Sequence, residues 1–228
     1  MKTVELRFET AGAETDYFMR EAFNTLRTNV LFCGTSVKTI AVTSCFAHEG
    51  KTTVSLEMAK SLAEAEKRVL FIDADLRKSV TVSRYTDQKG IEGLSQLLSG
   101  QSALADTVYR TQVAGLDVIF AGPFPPNPTE LLGGESFRQL IEAVSPHYDY
   151  VIIDAPPLGL VVDASVIAGV CDGAILVVNQ GKVKYRVAQD VVEQLRKSGC
   201  RVLGAVLNQP FSRRSSEKDA YYKYRKEP

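Results

Sequence analysis

The sequence predicts an α/β fold with a mostly parallel sheet flanked by helices, and three observations in the 228 residues carry that prediction. Short apolar runs alternate with helical segments along the chain, the pattern of strands that are covered on both faces. The first such run, KTIAVTS (38–44), is followed within a few residues by a glycine-lysine-threonine turn and then a helical segment. Two more, VLFID (69–73) and VIID (151–154), end in aspartate, so carboxylates gather where strands finish.

Taken in order, residues 16–32 (DYFMREAFNTLRTNVLF) read as an amphipathic helix with Phe18, Ala22, Leu26 and Val30 at helical spacing. The strand at 38–44 leads into a helix at 53–66. Further strands are expected at 68–73, 116–122, 150–154, 173–179 and 202–208, with helices between them at 93–98, 129–145, 163–170 and 184–198. The proline-rich AGPFPPNP (121–128) suits neither and reads as an ordered loop. The length fits one large domain, expected at 1–210, followed by a tail at 211–228.

Composition narrows the function classes. With 27 basic and 27 acidic residues the formal charge is zero, which gives no global attraction to nucleic acid or to an anionic membrane. No apolar run approaches the roughly 20 residues that span a bilayer, and residues 1–10 lack the apolar core of a signal peptide. A cytoplasmic protein is expected. Cys33, Cys45, Cys171 and Cys200 are far apart, with no CxxC pair to build a zinc site, so reduced thiols are expected.

The motif with the most chemistry is SCFAHEGKTT (44–53). Phosphate loops of the Walker A type read GxxxxGK[ST]; Gly50, Lys51 and Thr52 match its end, while Cys45 stands at the first glycine. Ala47, His48, Glu49, Gly50, Lys51, Thr52 and Thr53 form the expected nucleotide-binding stretch. Their amides and the helix N-terminus face phosphate, Lys51 reaches the β- and γ-oxygens, and the Thr52 hydroxyl serves magnesium. His48 could donate near phosphate or simply face solvent. Asp154, closing VIID, fits an acid that holds magnesium through its water shell. Because strand side chains repeat every second residue, Asp73 and Asp75 are expected on one side of the strand end. Either they cap the strand with Arg77 neutralising them, or one serves magnesium and the other the attacking group.

Together these motifs resemble bacterial tyrosine kinases of the capsule and exopolysaccharide type, over nearly the whole chain. VLFIDADLRKS is similar to their second Walker A signature, VIIDAPP to their Walker B, and PPNPTELLGGESF (125–137) to a stretch they carry between the two. The resemblance implies a phosphate-loop NTPase fold with a deviant Walker A, related to the MinD/ParA ATPases. It implies ATP and Mg2+ as cofactors, Asp73 near magnesium and Lys51, and Asp75 beside the acceptor hydroxyl. Asn208, ending the last strand, lies where the wider family contacts adenine, or caps that strand.

EAFNTLRTN (21–29) resembles the family's ring-assembly element. Glu21 and Arg27 match it, whereas Asn24 stands where an arginine is usual and supplies no forked cation. Of nine tyrosines, Tyr221, Tyr222 and Tyr224 cluster in a tail that carries six basic and three acidic residues from 211 on. In the family such a cluster is the autophosphorylation site. The implied partners are a membrane adaptor supplying an activating cytoplasmic segment, a homo-oligomeric ring, and a cognate tyrosine phosphatase, with recruitment to the inner face of the membrane.

Two other functions use the same motifs. A MinD/ParA-like nucleotide-switch ATPase would replace tyrosine with water, but those ATPases carry an extra lysine early in the loop and CFAHE (45–49) has none. A nucleotide-binding regulator without transfer activity is the other reading.

Overall fold

The computed structural model describes residues 2–8 and 13–208. In chain order the strands are β1 (Lys2–Val4), β2 (Thr39–Ser44), β3 (Val69–Asp73), β4 (Val108–Thr111), β5 (Leu116–Ile119), β6 (Tyr150–Asp154), β7 (Gly173–Asn179) and β8 (Val202–Asn208). The helices are α1 (Ala13–Leu31), α2 (Lys51–Glu64), α3 (Thr81–Tyr85), α4 (Leu94–Leu98), α5 (Leu104–Thr107), α6 (Pro128–Gly133), α7 (Glu135–Val144), α8 (Asp163–Ala168) and α9 (Tyr185–Lys197). The strands form one sheet in the order β1-β4-β5-β3-β6-β2-β7-β8, parallel except for β4 against β5.

Continuous apolar strands force cover on both faces, and the period of two sorts them into two cores. Ala41, Leu70, Ile72, Val151, Ile153 and Leu176 face a layer that includes α4 and α6–α9. Ile40, Val42, Val69, Phe71, Ile152 and Val177 face α1 and α2. Small residues let α2 lie close to the sheet: Ser55, Ala59, Ser61 and Ala63 are all buried.

This layering sets β3, β6 and β2 side by side at the centre of the sheet, with Val42 paired to Asp154 and Asp73 paired to Asp154. Their carboxyl ends therefore open at one place, where open α/β sheets bind ligands.

Several expectations need correction. The helix expected at 129–145 is two helices, because Gly134 is extended (φ −76, ψ 164) and turns the chain between α6 and α7. Pro128, expected in the loop, is the first residue of α6. The strand expected at 116–122 stops at Ile119, after which the chain turns through Gly122 at φ 77. The helix expected at 53–66 begins at Lys51 and ends at Glu64. On α1, Ala22 is exposed, and Phe23 packs inward with Leu26 and Val30 instead. The edge strand β1, its neighbour β4 and the short α3 and α5 were not anticipated.

Candidate active site

The phosphate loop is built by close packing at its first position and by a carboxylate at its tip. Cys45 is fully buried, and a Cβ placed on Gly159 would lie 2.2 Å from the Cys45 carbonyl oxygen, so the residue opposite must be glycine. Burial, with the Glu49 charge adding to it, pushes the Cys45 thiol up to about 11, which keeps it protonated. Glu49 is buried as well: Oε2 accepts from the Phe46 amide (2.8 Å) and Oε1 from the Asn179 amide (3.4 Å). His48 is exposed in the left-handed region at φ 63, and Gly50 follows at φ 85. A Cβ at Gly50 would lie 2.1 Å from Asn208 Nδ2, which donates to the Glu49 carbonyl at 2.9 Å. Asn208 thus closes the loop from β8.

Lys51 and Thr52 open α2 and face the acids. Lys51 Nζ lies 3.0 Å from Asp75 Oδ2 and 3.6 Å from Asp154 Oδ2. The Thr52 hydroxyl donates to Asp154 Oδ2 at 2.6 Å. Thr53 points elsewhere; its hydroxyl meets Arg84 Nη1 (3.2 Å) and the Tyr85 hydroxyl (3.3 Å) on α3. Behind the Walker B aspartate, the Thr43 hydroxyl donates to the Pro156 carbonyl (2.7 Å) and accepts from the Leu158 amide (3.2 Å), fixing APP against β2.

The three acids sit in different surroundings. Asp73 is fully buried, with the Ser79 hydroxyl donating to one oxygen and the Asp75 amide to the other (3.1 Å). Burial and then the neighbouring Asp154 raise its carboxyl to about 7. Burial also raises Asp154, against the pull of Lys51 and Thr52. Its Oδ1 has no hydrogen-bond partner among the described residues, since the nearby Ser55 hydroxyl donates to the Thr52 carbonyl instead. For Lys51, burial acts downward but Asp154, Asp75 and Asp73 outweigh it, so the ammonium is held above its ordinary value. Asp75 keeps its Oδ1 on the amides of Arg77 (3.3 Å) and Lys78 (3.0 Å).

Of the other expected residues, Arg27 is engaged inside the chain, donating to the Ser61 carbonyl (2.9 Å) and hydroxyl (3.2 Å) on α2. Glu21 accepts from Asn24 Nδ2 at 3.1 Å. Tyr221, Tyr222 and Tyr224 lie outside the described residues. Sequence reasoning missed Ser79, Gly159, Asn179 and Asp163; Ser79 lay within the quoted VLFIDADLRKS, whereas nothing local marks the other three.

A phosphate loop, three strand-end acids and a parallel sheet leave both kinase and switch ATPase in play, and comparison decides between them. An AAA domain family model matches residues 37–199. The tyrosine-protein kinase CpsD of Streptococcus agalactiae is 45% identical over 188 residues, which cover 82% of this chain and 81% of that protein. The chain belongs to the bacterial tyrosine-protein kinases. Among solved structures, the kinase domain of the Escherichia coli tyrosine kinase ETK superposes with a TM-score of 0.78 at 34% identity, covering 85% of this chain and 77% of that domain. As in other bacterial tyrosine kinases, the sheet is that of ATP-binding phosphate-loop proteins. MinD of Pyrococcus horikoshii, solved with Mg-ADP, shares the fold with a TM-score of 0.65 at 24% identity. No helix among the described residues of this kinase is long and apolar enough to cross a membrane.

Proposed function

We propose that this bacterial tyrosine kinase transfers the γ-phosphoryl group of ATP to the tyrosines of its own tail, Tyr221, Tyr222 and Tyr224, in the control of capsular or exopolysaccharide synthesis and export. The observation that carries the proposal is the division of labour among the acids. Asp154 and Thr52 form a hydroxyl-carboxylate pair, while Asp75 reaches Lys51 from the other side.

Magnesium fits the first pair. A threonine hydroxyl beside a buried carboxylate with one unpartnered oxygen offers the hard oxygen donors this ion takes, usually with one or two carboxylates and substrate phosphates. Thr52, Asp154 and Asp73 are the residues that would hold it; bound, it would neutralise charge on the phosphate oxygens. Lys51 and the amides of 47–52 position the γ-phosphoryl group. A tyrosine hydroxyl, with a pKa of about 10, is a weak nucleophile until its proton is drawn off. Asp75 takes that proton as the phenolic oxygen bonds to the γ-phosphorus and the bond to the β-γ bridging oxygen breaks, releasing ADP.

Membership of the family supports a wider setting for this reading. A membrane adaptor supplies an activating segment and brings the cytoplasmic kinase to the inner face of the membrane; copies of the chain assemble through α1; a tyrosine phosphatase resets the tail. The domain at 1–210 and tail at 211–228 are the matching units. The E. coli tyrosine-protein kinase etk supports this setting, since its 35% identical match occupies only 27% of that longer protein.

The test is incubation of the purified chain with Mg2+ and ATP, with and without a candidate activating segment, followed by mapping of phosphate by mass spectrometry with Lys51→Met as control. Phosphotyrosine at 221, 222 or 224 is expected. Steady phosphate release without any phosphotyrosine would favour a switch ATPase.

A further inference from the structure

Behind Asp75 lies a closed polar triangle that the transfer mechanism above does not use. Arg77 Nε donates to Asp163 Oδ2 at 2.6 Å and its Nη2 to Asp163 Oδ1 at 3.1 Å. The Thr129 hydroxyl donates to Asp163 Oδ1 at 2.6 Å and accepts from Arg77 Nη2 at 2.9 Å. The carboxylate has no solvent exposure, whereas the guanidinium is 38% exposed. A buried carboxylate persists as an anion only when it is paired and hydrogen-bonded. Burial alone would raise Asp163, yet the bonds from Arg77 and Thr129 outweigh it and hold the group below the usual carboxylate range.

The triangle draws together three segments: the turn after β3, the start of α6 in the 125–137 loop, and the start of α8. Holding α6 to α8 does not require it. Leu132, Ala164 and Ile167 are buried in the same apolar core, and a Cβ added at Gly133 would lie 3.5 Å from Val166 Cγ1, so the two helices run close there. The triangle ties down the turn carrying Arg77 from outside, while buried Leu76 and the Ser79 hydroxyl on Asp73 hold it from within. The amides of that turn, from Arg77 and Lys78, are the groups that hold Asp75 Oδ1 and leave Oδ2 facing Lys51.

We infer that Arg77, Asp163 and Thr129 form a clasp that positions Asp75 for proton transfer from the acceptor tyrosine, and that the 125–137 loop serves this purpose through Thr129. The clasp rests on the reading of Asp75 as the acceptor-side base. A fork of two parallel bonds sets both distance and angle, which a single ammonium cannot. Misplacing a reacting group by about 1 Å is enough to cost about 100-fold in rate.

The experiment measures two quantities on the full chain: the initial rate of phosphotyrosine formation at saturating ATP, and the affinity for a fluorescent ATP analogue. Arg77→Lys and Asp163→Asn are expected to slow transfer by about 10- to 100-fold while ATP affinity stays within about twofold. Thr129→Val should slow transfer and Thr129→Ser should restore it, a pair that decides the matter even where Asp163→Asn fails to fold. Unchanged transfer rates in these variants, or ATP affinity lost in step with rate, would overturn the clasp. Asp75→Asn run in parallel separates the two ideas. Parental rates there sink the role of Asp75, whereas a slow Asp75→Asn beside fast clasp variants sinks the clasp alone. A parent chain that forms no phosphotyrosine overturns both.

Discussion

Lys51 Nζ is shared between Asp75, 3.0 Å away, and Asp154, 3.6 Å away, so the cation meant for phosphate is held by carboxylates on two sides. Binding of ATP must draw Lys51 from these partners toward the β- and γ-oxygens. Removing the Asp75 charge then removes a competitor for Lys51 as well as the proposed proton acceptor. Asp75→Asn is expected to bind ATP at least as tightly as the parent while transferring phosphate about 100-fold or more slowly. Equilibrium titration and initial rates check this, and loss of ATP affinity in Asp75→Asn would count against it. Lys51→Met should lose both.

The pH dependence of stability reports on Asp73. Its carboxyl is raised from 3.8 to about 7 in the folded chain, by burial and then by Asp154. Between those values the folded protein retains a proton that the unfolded chain has released, so this residue makes stability fall as pH rises from about 4 to about 7, and adds no slope above that. Without added metal, the gain in thermal midpoint of Asp73→Asn over the parent should therefore be larger at pH 8 than at pH 5. An equal difference at the two pH values would show that Asp73 ionises normally.

Gly159 allows the deviant loop to close. A methyl group there would press on the Cys45 carbonyl at 2.2 Å, a backbone atom that cannot swing aside. Gly159→Ala should cost about 1–3 kcal/mol of stability, in the range of overpacking, and weaken ATP binding by displacing the loop. Urea denaturation and ATP titration measure the two effects; parental values in both would mean that the loop yields freely.

Arg27 anchors α1 to α2 within one chain through Ser61. Arg27→Ala should therefore lower unfolding free energy by about 1–3 kcal/mol through lost hydrogen bonds, whatever it does to assembly. Denaturation at a concentration where light scattering gives a monomer mass isolates this effect. Undiminished monomer stability would free Arg27 for contacts between copies.

Legibility in the sequence followed burial. The runs at β3, β6 and β7 are apolar almost throughout, and β2 has an apolar centre, because each is covered on both faces, and they could be read directly. The short strand β4, VYRT, which lies between β1 and β5, exposes Arg110 and reads as polar linker. The phosphate loop and Asp154 were legible because a strand, a turn and a helix N-terminus follow one another within a few residues. The clasp was not, since Arg77 and Asp163 are 86 positions apart and Thr129 stands 34 positions from Asp163.

What the sequence determined by itself is the alternation of strands and helices, the loop that cradles phosphate, and the acids at the ends of β3 and β6. These follow from local periodicity and turn chemistry. What only the tertiary structure decided is where each acid sits. A period of two would put Asp73 and Asp75 on one side, but β3 ends at Asp73, and its Oδ1 accepts the Asp75 amide in a turn that breaks the period. Asp73 stays buried beside Asp154 in the adjacent strand, while Asp75 reaches Lys51 at the phosphate loop. The reason is that these positions depend on partners distant in sequence: Asp154 on the neighbouring strand, Lys51 on α2, and Asp163 and Thr129 around Arg77, which only the packed sheet and helices bring together.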